Sequence, residues 1–158
     1  MNKKTILFVC TGNTCRSVMA QALFQKAKQE LSPELVYHSD SAGIAAFKGD
    51  APTEEAILCM AKRGLDISCY RSKPVDKKLL VDSFLVLTMT SSQKSYLLYK
   101  YPPDSKKIHL FRDYCQNNND ITNMDIEDPF GKSFSFYEEV CDKLEENIYK
   151  LIKRLREE

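Results

Sequence analysis

Residue types that do chemistry on phosphate lie close together near the amino terminus, in the stretch FVCTGNTCRS at residues 8–17. Cys10 is a nucleophile when it is ionised, and the planar guanidinium of Arg16 can bind two oxygens of one anion. The hydroxyl of Ser17 can donate to the sulfur. The five residues between Cys10 and Arg16 are small or polar, which lets their backbone N–H groups turn inward around an anion. They are Thr11, Gly12, Asn13, Thr14 and Cys15. The stretch therefore predicts a phosphate-binding loop that contains a reactive thiolate.

The elements on either side of this loop place it at the edge of a predicted sheet. KTILFVC, residues 4–10, has the composition of a strand buried on both faces, and residues 16–31 repeat apolar side chains at helical spacing. Ligands bind at the carboxyl ends of parallel strands, where the N–H groups and dipole of the next helix add positive potential. The same potential favours the thiolate form of Cys10. Gly12 is expected to allow the backbone angles of the tight turn, and Asn13 to tolerate a left-handed conformation.

The rest of the chain alternates apolar strand patterns with helical ones. Further strands are expected within residues 34–43, 83–90 and 106–111. Helices are expected within residues 52–64, 73–83 and 91–103, and from a capping box at Ser135 and Glu138 to about Arg156. Residues 112–133 show no periodicity and are expected to form a functional loop. The pattern predicts one α/β domain over residues 1–158: three layers, with a four-stranded parallel sheet flanked by helices and the phosphate-binding loop after the first strand.

Composition limits the classes of partner and the cellular location. A net charge of +1 gives no reason to expect binding to nucleic acid or to a membrane. No apolar run reaches transmembrane length and no secretory signal is present, so we expect a cytoplasmic protein in which all six cysteines are free. No cysteines are spaced as a CxxC pair and the two histidines are far apart, so neither a metal nor a cofactor is expected. We expect a monomer.

In the predicted phosphate-binding loop the sequence resembles the low-molecular-weight protein tyrosine phosphatase family. Residues 9–17 match the signature V-C-x-G-N-x-C-R-S, and the resemblance covers essentially the whole chain. DSAG at residues 40–43 looks like the family's segment after the second strand, and DPFG at residues 128–131 looks like its general-acid loop. The resemblance implies a four-stranded α/β fold and a phosphocysteine intermediate. It implies that Cys10 is the nucleophile, Arg16 binds phosphate and Asp128 is the proton donor, and the seven loop residues 11–17 form the phosphate site.

The resemblance also implies two supporting roles. Ser41 is expected to hold Asn13 or Ser17 in place. Cys15 is expected to form a reversible disulfide with Cys10, which would protect the nucleophile from over-oxidation. The alternative for Cys15 is a small buried residue that packs under the loop.

Thr14 is the residue that bears most directly on the substrate. Tyrosine-specific members usually have isoleucine or leucine at this position, and threonine there resembles the bacterial protein-arginine phosphatase branch. Thr90 and Gly131 resemble that branch as well. A β-branched hydroxyl residue narrows the pocket and offers a polar contact, while Asp128 can pair with a guanidinium and protonate its nitrogen. The alternative is that Thr14 only supports the loop.

Other positions depart from the family pattern or have an open role. Val18 lies where a proline is usual, and Tyr70 lies where many relatives carry a histidine that is linked to the active-site hydrogen bonds. Phe47 and Phe130 are expected either to line the cleft or to pack in the core.

Four activities fit the loop to different degrees. Hydrolysis of phosphoarginine in proteins is the main prediction, and hydrolysis of phosphotyrosine is the alternative. An arsenate reductase needs further cysteines close to the loop to relay electrons, and residues 71–114 contain none. A phosphocysteine carrier must avoid hydrolysis and has no need of both Arg16 and Asp128.

Overall fold

The computed structural model describes residues 3–116 and 123–158 and contains one four-stranded sheet with the strand order β2–β1–β3–β4. All neighbouring strands are parallel. The strands are β1 (Lys4–Cys10), β2 (Tyr37–Gly43), β3 (Leu85–Thr88) and β4 (Ile108–Leu110). Six α-helices are described: α1 (Arg16–Leu31), α2 (Glu54–Ala61), α3 (Lys77–Asp82), α4 (Ser91–Lys100), α5 (Phe111–Cys115) and α6 (Phe134–Glu157). The predicted α/β class and parallel sheet are confirmed.

The central strand β1 divides the hydrophobic core into two layers. Successive side chains of a strand point to opposite faces, and here Ile6 and Phe8 pack in a cluster with residues of α1, α2, α5 and α6. Leu7 and Val9 pack in a second cluster with residues of α3 and α4. All four side chains are fully buried, which explains the continuous apolar run of the sequence. Cys10 falls on the same face as Ile6 and Phe8.

The loop between β1 and α1, which the sequence predicts to bind phosphate, packs against the carboxyl end of β2. Cys10 is paired in register with Gly43, and Ala45 N–H donates a hydrogen bond of 2.9 Å to Thr11 O. A Cβ at Gly43 would lie 2.5 Å from Thr11 O and 3.0 Å from Asn13 N, far inside van der Waals contact. Glycine at position 43 therefore sets how closely the loop approaches the sheet.

The segment between β4 and α6 differs from the expected long loop. Residues Phe111–Cys115 form α5, while residues 117–122 lie outside the described part of the chain. α6 begins at Phe134 and is capped by Ser133, whose Oγ accepts from Phe136 N–H at 3.2 Å. The predicted capping box at Ser135 and Glu138 is therefore wrong. Only Ser135 has a glutamate three residues later, but both serines can cap a helix, and the backbone of Ser133 is the one that is extended before the helix.

Within residues 3–116 and 123–158, no helix combines the length and the apolar character that crossing a membrane would require.

Candidate active site

The turn from β1 into α1 depends on the backbone of Asn13. Among the described residues, Asn13 is the only residue other than glycine with a positive φ, at 58°. Gly12 does not use the left-handed angles that are reserved for glycine, and a Cβ there would meet only Thr14 Oγ1 at an ordinary 3.6 Å. The expectation that Gly12 provides the special backbone angles is wrong. The left-handed residue is Asn13, which tolerates this region better than most residues.

The side chain of Asn13 joins the loop to three other segments. Its Nδ2 donates to Ser17 Oγ on α1 at 2.8 Å and to Ser41 Oγ on β2 at 3.0 Å. Its Oδ1 accepts from Lys73 N–H at 3.1 Å. Asn13 is buried, so these hydrogen bonds satisfy polar atoms that water does not reach. The predicted supporting residue Ser41 therefore contacts Asn13, and its own hydroxyl donates to Gln21 Oε1 at 2.6 Å.

The sulfur of Cys10 lies at the centre of the loop and is buried. Asn13 N–H donates to Sγ at 3.2 Å, and Ser17 Oγ lies 2.9 Å from Sγ. Because Ser17 Oγ already accepts from Asn13 Nδ2, its hydroxyl hydrogen is left for the sulfur when Cys10 is a thiolate. Two donors therefore converge on Sγ. α1 also begins next to the loop without a side-chain cap, and its dipole adds positive potential there.

Arg16 is held close to the loop by a neutral acceptor. Its Nη1 donates to Ile126 O at 3.0 Å, and its side chain is only 4 % exposed. Asp128 Oδ2 lies 3.7 Å from Nη2, but the Asp128 side chain is 52 % exposed, so water weakens this ion pair. Arg16 Nε is buried with no hydrogen-bond partner among the described residues. A buried donor of this kind is costly unless a ligand accepts from it, which suits an oxyanion.

Asp128 lies at the start of a tight turn beside the loop. Its Oδ1 accepts from Phe130 N–H at 3.0 Å. Gly131 has φ of 76°, a left-handed angle at which any larger residue would be strained. This backbone explains why the position is occupied by glycine rather than by an aromatic residue.

Cys15 is a second buried thiol with a different environment. Burial, followed by the nearby Cys10 and Asp128, raises the pKa of Cys15 to about 12. Cys15 is therefore a neutral thiol at neutral pH, and its Sγ lies 3.9 Å from Asp128 Oδ1 in a weak S–H···O contact. Both Cys10 and Cys15 are free in the structure, so the reversible disulfide between them stays a prediction.

The two threonines of the loop are held from different sides. Thr11 Oγ1 accepts from Gln93 Nε2 at 3.1 Å, and Thr14 O accepts from Thr53 N–H at 3.0 Å. Sequence reasoning missed Gln93. The pattern Thr90-x-x-Gln93 is a capping-box signal that could have found its local role, but nothing local indicates its bond to Thr11.

The side chains whose role the sequence leaves open differ in burial. Phe47 and Phe130 are 77 % and 67 % exposed, so the expectation that they pack in the core is wrong. Tyr70 is half-buried against the main core cluster. Val18 is buried within the first turn of α1, so a helix start without proline is accommodated.

Within residues 3–116 and 123–158, no group of three or more His, Cys, Asp or Glu side chains is arranged to hold a metal ion.

Comparison with known proteins gives consistent matches over the whole chain. The family described as "Low molecular weight phosphotyrosine protein phosphatase" matches residues 5–158. A protein-arginine-phosphatase of Bacillus subtilis is 31% identical over 153 residues, which is 97% of each chain. An arsenate reductase 2 of Staphylococcus haemolyticus is 36% identical over 148 residues, covering 94% of this chain and 95% of the relative. A crystal structure of a YwlE mutant from Bacillus subtilis superposes with a TM-score of 0.89 at 30% identity, covering 98% of this chain and 99% of that chain.

The hydrogen bonds of Asn13 generate a stability prediction. Asn13→Gly keeps the left-handed backbone but removes the amide, and we expect it to lower the free energy of unfolding by about 2–3 kcal/mol, since each buried hydrogen bond contributes about 1 kcal/mol. Asn13→Ala should be less stable still, because alanine is strained at φ of 58°. Urea denaturation measures both. Ser41→Ala, which removes one partner of Asn13 together with the bond to Gln21, is the comparison variant with an expected loss of about 1–2 kcal/mol. Losses below about 0.5 kcal/mol for both Asn13 variants would contradict the prediction.

Proposed function

The chain belongs to the low molecular weight phosphotyrosine protein phosphatase family, and from this premise we propose that it is a protein phosphatase that acts through a phosphocysteine intermediate. In this proposal Cys10 is the nucleophile, Arg16 binds the phosphoryl group and Asp128 is the general acid. The loop residues contribute backbone N–H groups to the phosphate site: Thr11, Gly12, Asn13, Thr14, Cys15, Arg16 and Ser17. In this proposal residues 1–158 form one phosphatase domain, and its chemistry needs no metal or cofactor.

One observation carries the proposal. The buried sulfur of Cys10 lies at the end of the central strand with Asn13 N–H 3.2 Å and Ser17 Oγ 2.9 Å away. A structural cysteine in a core has no use for two converging polar donors, whereas a thiolate that attacks and later leaves phosphorus needs both. The guanidinium of Arg16 and the carboxyl of Asp128, 3.7 Å apart at their nearest atoms, supply the remaining groups.

The reaction takes place in two balanced steps. The Cys10 thiolate attacks phosphorus, the bond from phosphorus to the leaving oxygen or nitrogen breaks, and Asp128 gives its proton to the leaving group. Water then attacks the phosphocysteine, Asp128 takes a proton from that water, and the S–P bond breaks. The hydrogen bonds from Ser17 and Asn13 N–H stabilise the thiolate as it leaves. Arg16 follows the phosphoryl oxygens through both transition states.

Phosphoarginine in a protein is the proposed substrate. A hydroxyl-bearing residue at position 14 suits a planar, polar guanidinium. The half-exposed carboxyl of Asp128, in its protonated form, can accept from an N–H of that group with one oxygen and give its proton to the leaving nitrogen from the other. The similarity to a protein-arginine-phosphatase of Bacillus subtilis supports this choice. Phosphotyrosine is the second candidate, because the exposed rings of Phe47 and Phe130 could pack on an aryl group.

Arsenate reduction is less well supported, although one relative is named arsenate reductase 2. A relay of electrons needs thiols that can ionise and meet at the loop. Cys15 is the nearby thiol, and its raised pKa of about 12 keeps it neutral. Cys59, Cys115 and Cys141 are buried in helices, and residues 71–114 add no cysteine.

A cytoplasmic location and a monomeric state complete the proposal. Six free cysteines, of which only Cys69 is exposed, are suited to a reducing compartment. The nearly balanced charge, +1 overall, supports a protein substrate rather than nucleic acid or a membrane.

The role of Cys10 predicts a separation of binding from turnover. Cys10→Ser should lower kcat for p-nitrophenyl phosphate by at least about a thousandfold, because a neutral hydroxyl is a far weaker nucleophile and leaving group than a thiolate. Binding of inorganic phosphate, measured by calorimetry, should stay within about tenfold, because the loop N–H groups and Arg16 remain. Cys69→Ser, the same change at an exposed site, is the matched control and should leave both quantities unaltered. Normal turnover by Cys10→Ser would refute the proposal.

The role of Thr14 predicts a change in substrate preference. The unmodified protein should have the higher kcat/KM on a phosphoarginine protein than on a phosphotyrosine protein. Thr14→Ile should lower that ratio by about tenfold or more, because it replaces a polar contact by an apolar one. Thr14→Val keeps the β-branched shape without the hydroxyl, so it separates polarity from size. A preference of the unmodified protein for phosphotyrosine would overturn the choice of substrate.

A further inference from the structure

The junction between β3 and α4 contacts the phosphate-binding loop through one buried side chain. Gln93 is 2 % exposed and its Oε1 accepts from Met89 N–H and Thr90 N–H, both at 3.0 Å. Its Nε2 donates to Thr11 Oγ1 at 3.1 Å, next to Cys10 in the chain. We call residues 89–93 the α4 junction. Because Gln93 is fixed at Oε1 by two backbone donors, its amide nitrogen has a defined direction.

The same junction holds the segment that carries Asp128. Ser91 N–H, in the first turn of α4, donates to Asp125 Oδ1 at 2.8 Å. Ile126 N–H donates to Met89 O at 2.8 Å. First-turn N–H groups have no partner within their own helix, and a carboxylate there also interacts favourably with the helix dipole. Asp125 is three residues before Asp128, so this contact lies close to the proposed acid.

These contacts form a closed series of hydrogen bonds that leads from the phosphate-binding loop to the α4 junction, on to Ile126 and back to the loop. From the loop, Arg16 Nη1 donates to Ile126 O at 3.0 Å, and Ile126 is in turn bound to the α4 junction. The direct contact between the phosphate-binding loop and Asp128 is weaker, because the Asp128 side chain is half-exposed and its Oδ2 lies 3.7 Å from Arg16 Nη2. The α4 junction is therefore the firmer connection between the phosphate-binding loop and residues 125–128, which we call the acid segment.

We propose that Gln93 and Asp125 are positioning residues, through which the α4 junction holds the phosphate-binding loop and the acid segment at a fixed separation. This inference rests on the proposed phosphatase function. Gln93 acts on the phosphate side: because its amide donates to Thr11 Oγ1, the hydroxyl hydrogen of Thr11 is free for a phosphate oxygen. Asp125 acts on the acid side, by fixing the start of the segment that ends in Asp128. The two residues should therefore leave different kinetic signatures.

The signature of Asp125 is a dependence on the leaving group. Phenol is a weaker acid than p-nitrophenol, so phenyl phosphate depends more on protonation by Asp128. Asp125→Ala should lower kcat/KM for phenyl phosphate about tenfold more than for p-nitrophenyl phosphate, and the inhibition constant of inorganic phosphate should change less than about twofold. Asp125→Asn still offers an oxygen to Ser91 N–H and should recover most of the loss.

The signature of Gln93 is the opposite. Gln93→Met keeps the length of the side chain but removes the amide, so the inhibition constant of inorganic phosphate should rise by about tenfold. Its kcat/KM should fall by the same factor for both aryl phosphates. Leu97→Ala, which removes buried volume from the same helix, is the control for general destabilisation of α4 and should show neither signature.

The outcomes separate this inference from the proposed function. If the unmodified protein hydrolyses neither the aryl phosphates nor a phosphoarginine protein, both fail. If it hydrolyses the aryl phosphates and Asp125→Ala lowers kcat/KM equally for both leaving groups, or Gln93→Met leaves the phosphate inhibition constant unaltered, the positioning inference alone is overturned. Matching losses in Leu97→Ala would also overturn it.

Discussion

A single buried amide, the side chain of Asn13, holds the rest of the site together. It bonds to α1 through Ser17, to β2 through Ser41 and to the segment before α3 through Lys73 N–H. The left-handed backbone of Asn13 turns its own N–H towards Cys10 Sγ, so one residue sets both the path of the loop and a donor to the sulfur. The close approach of the loop to the sheet then requires glycine at position 43.

The electrostatics of the site depend on which charged groups have no buried opposite charge beside them. Arg16 is anchored on a backbone carbonyl rather than on a buried carboxylate, so its charge remains available to an incoming phosphate. The neighbouring thiol of Cys15 has its pKa raised to about 12 and does not compete for that positive potential as a second anion. Both thiols are buried, so their surroundings distinguish them: two donors converge on Cys10 Sγ, whereas Cys15 Sγ lies beside the carboxylate of Asp128.

Sequence reasoning succeeded where local patterns and packing agree. The predicted bounds of β1 and α1 match the observed ones, because a doubly buried strand and a helix that ends just before Ser32 and Pro33 are marked by local residues. It failed at Gly12 and Ser133, where two nearby residues fit the same local role and the surrounding structure selects one. It could not find Gln93 or Asp125, because their bonds to Thr11 and to Ser91 join segments far apart in the chain.

The central claim is that the phosphoryl group passes through Cys10, and it can be observed directly. Asp128→Asn lacks the base for the second step, so phosphocysteine should accumulate while p-nitrophenyl phosphate is turned over. Rapid quenching followed by mass spectrometry of the peptide that contains Cys10 would detect it. The account predicts one added phosphate on Cys10, formed and lost at rates that match turnover. Phosphate on another residue, or turnover with Cys10 unmodified at every time point, would contradict it.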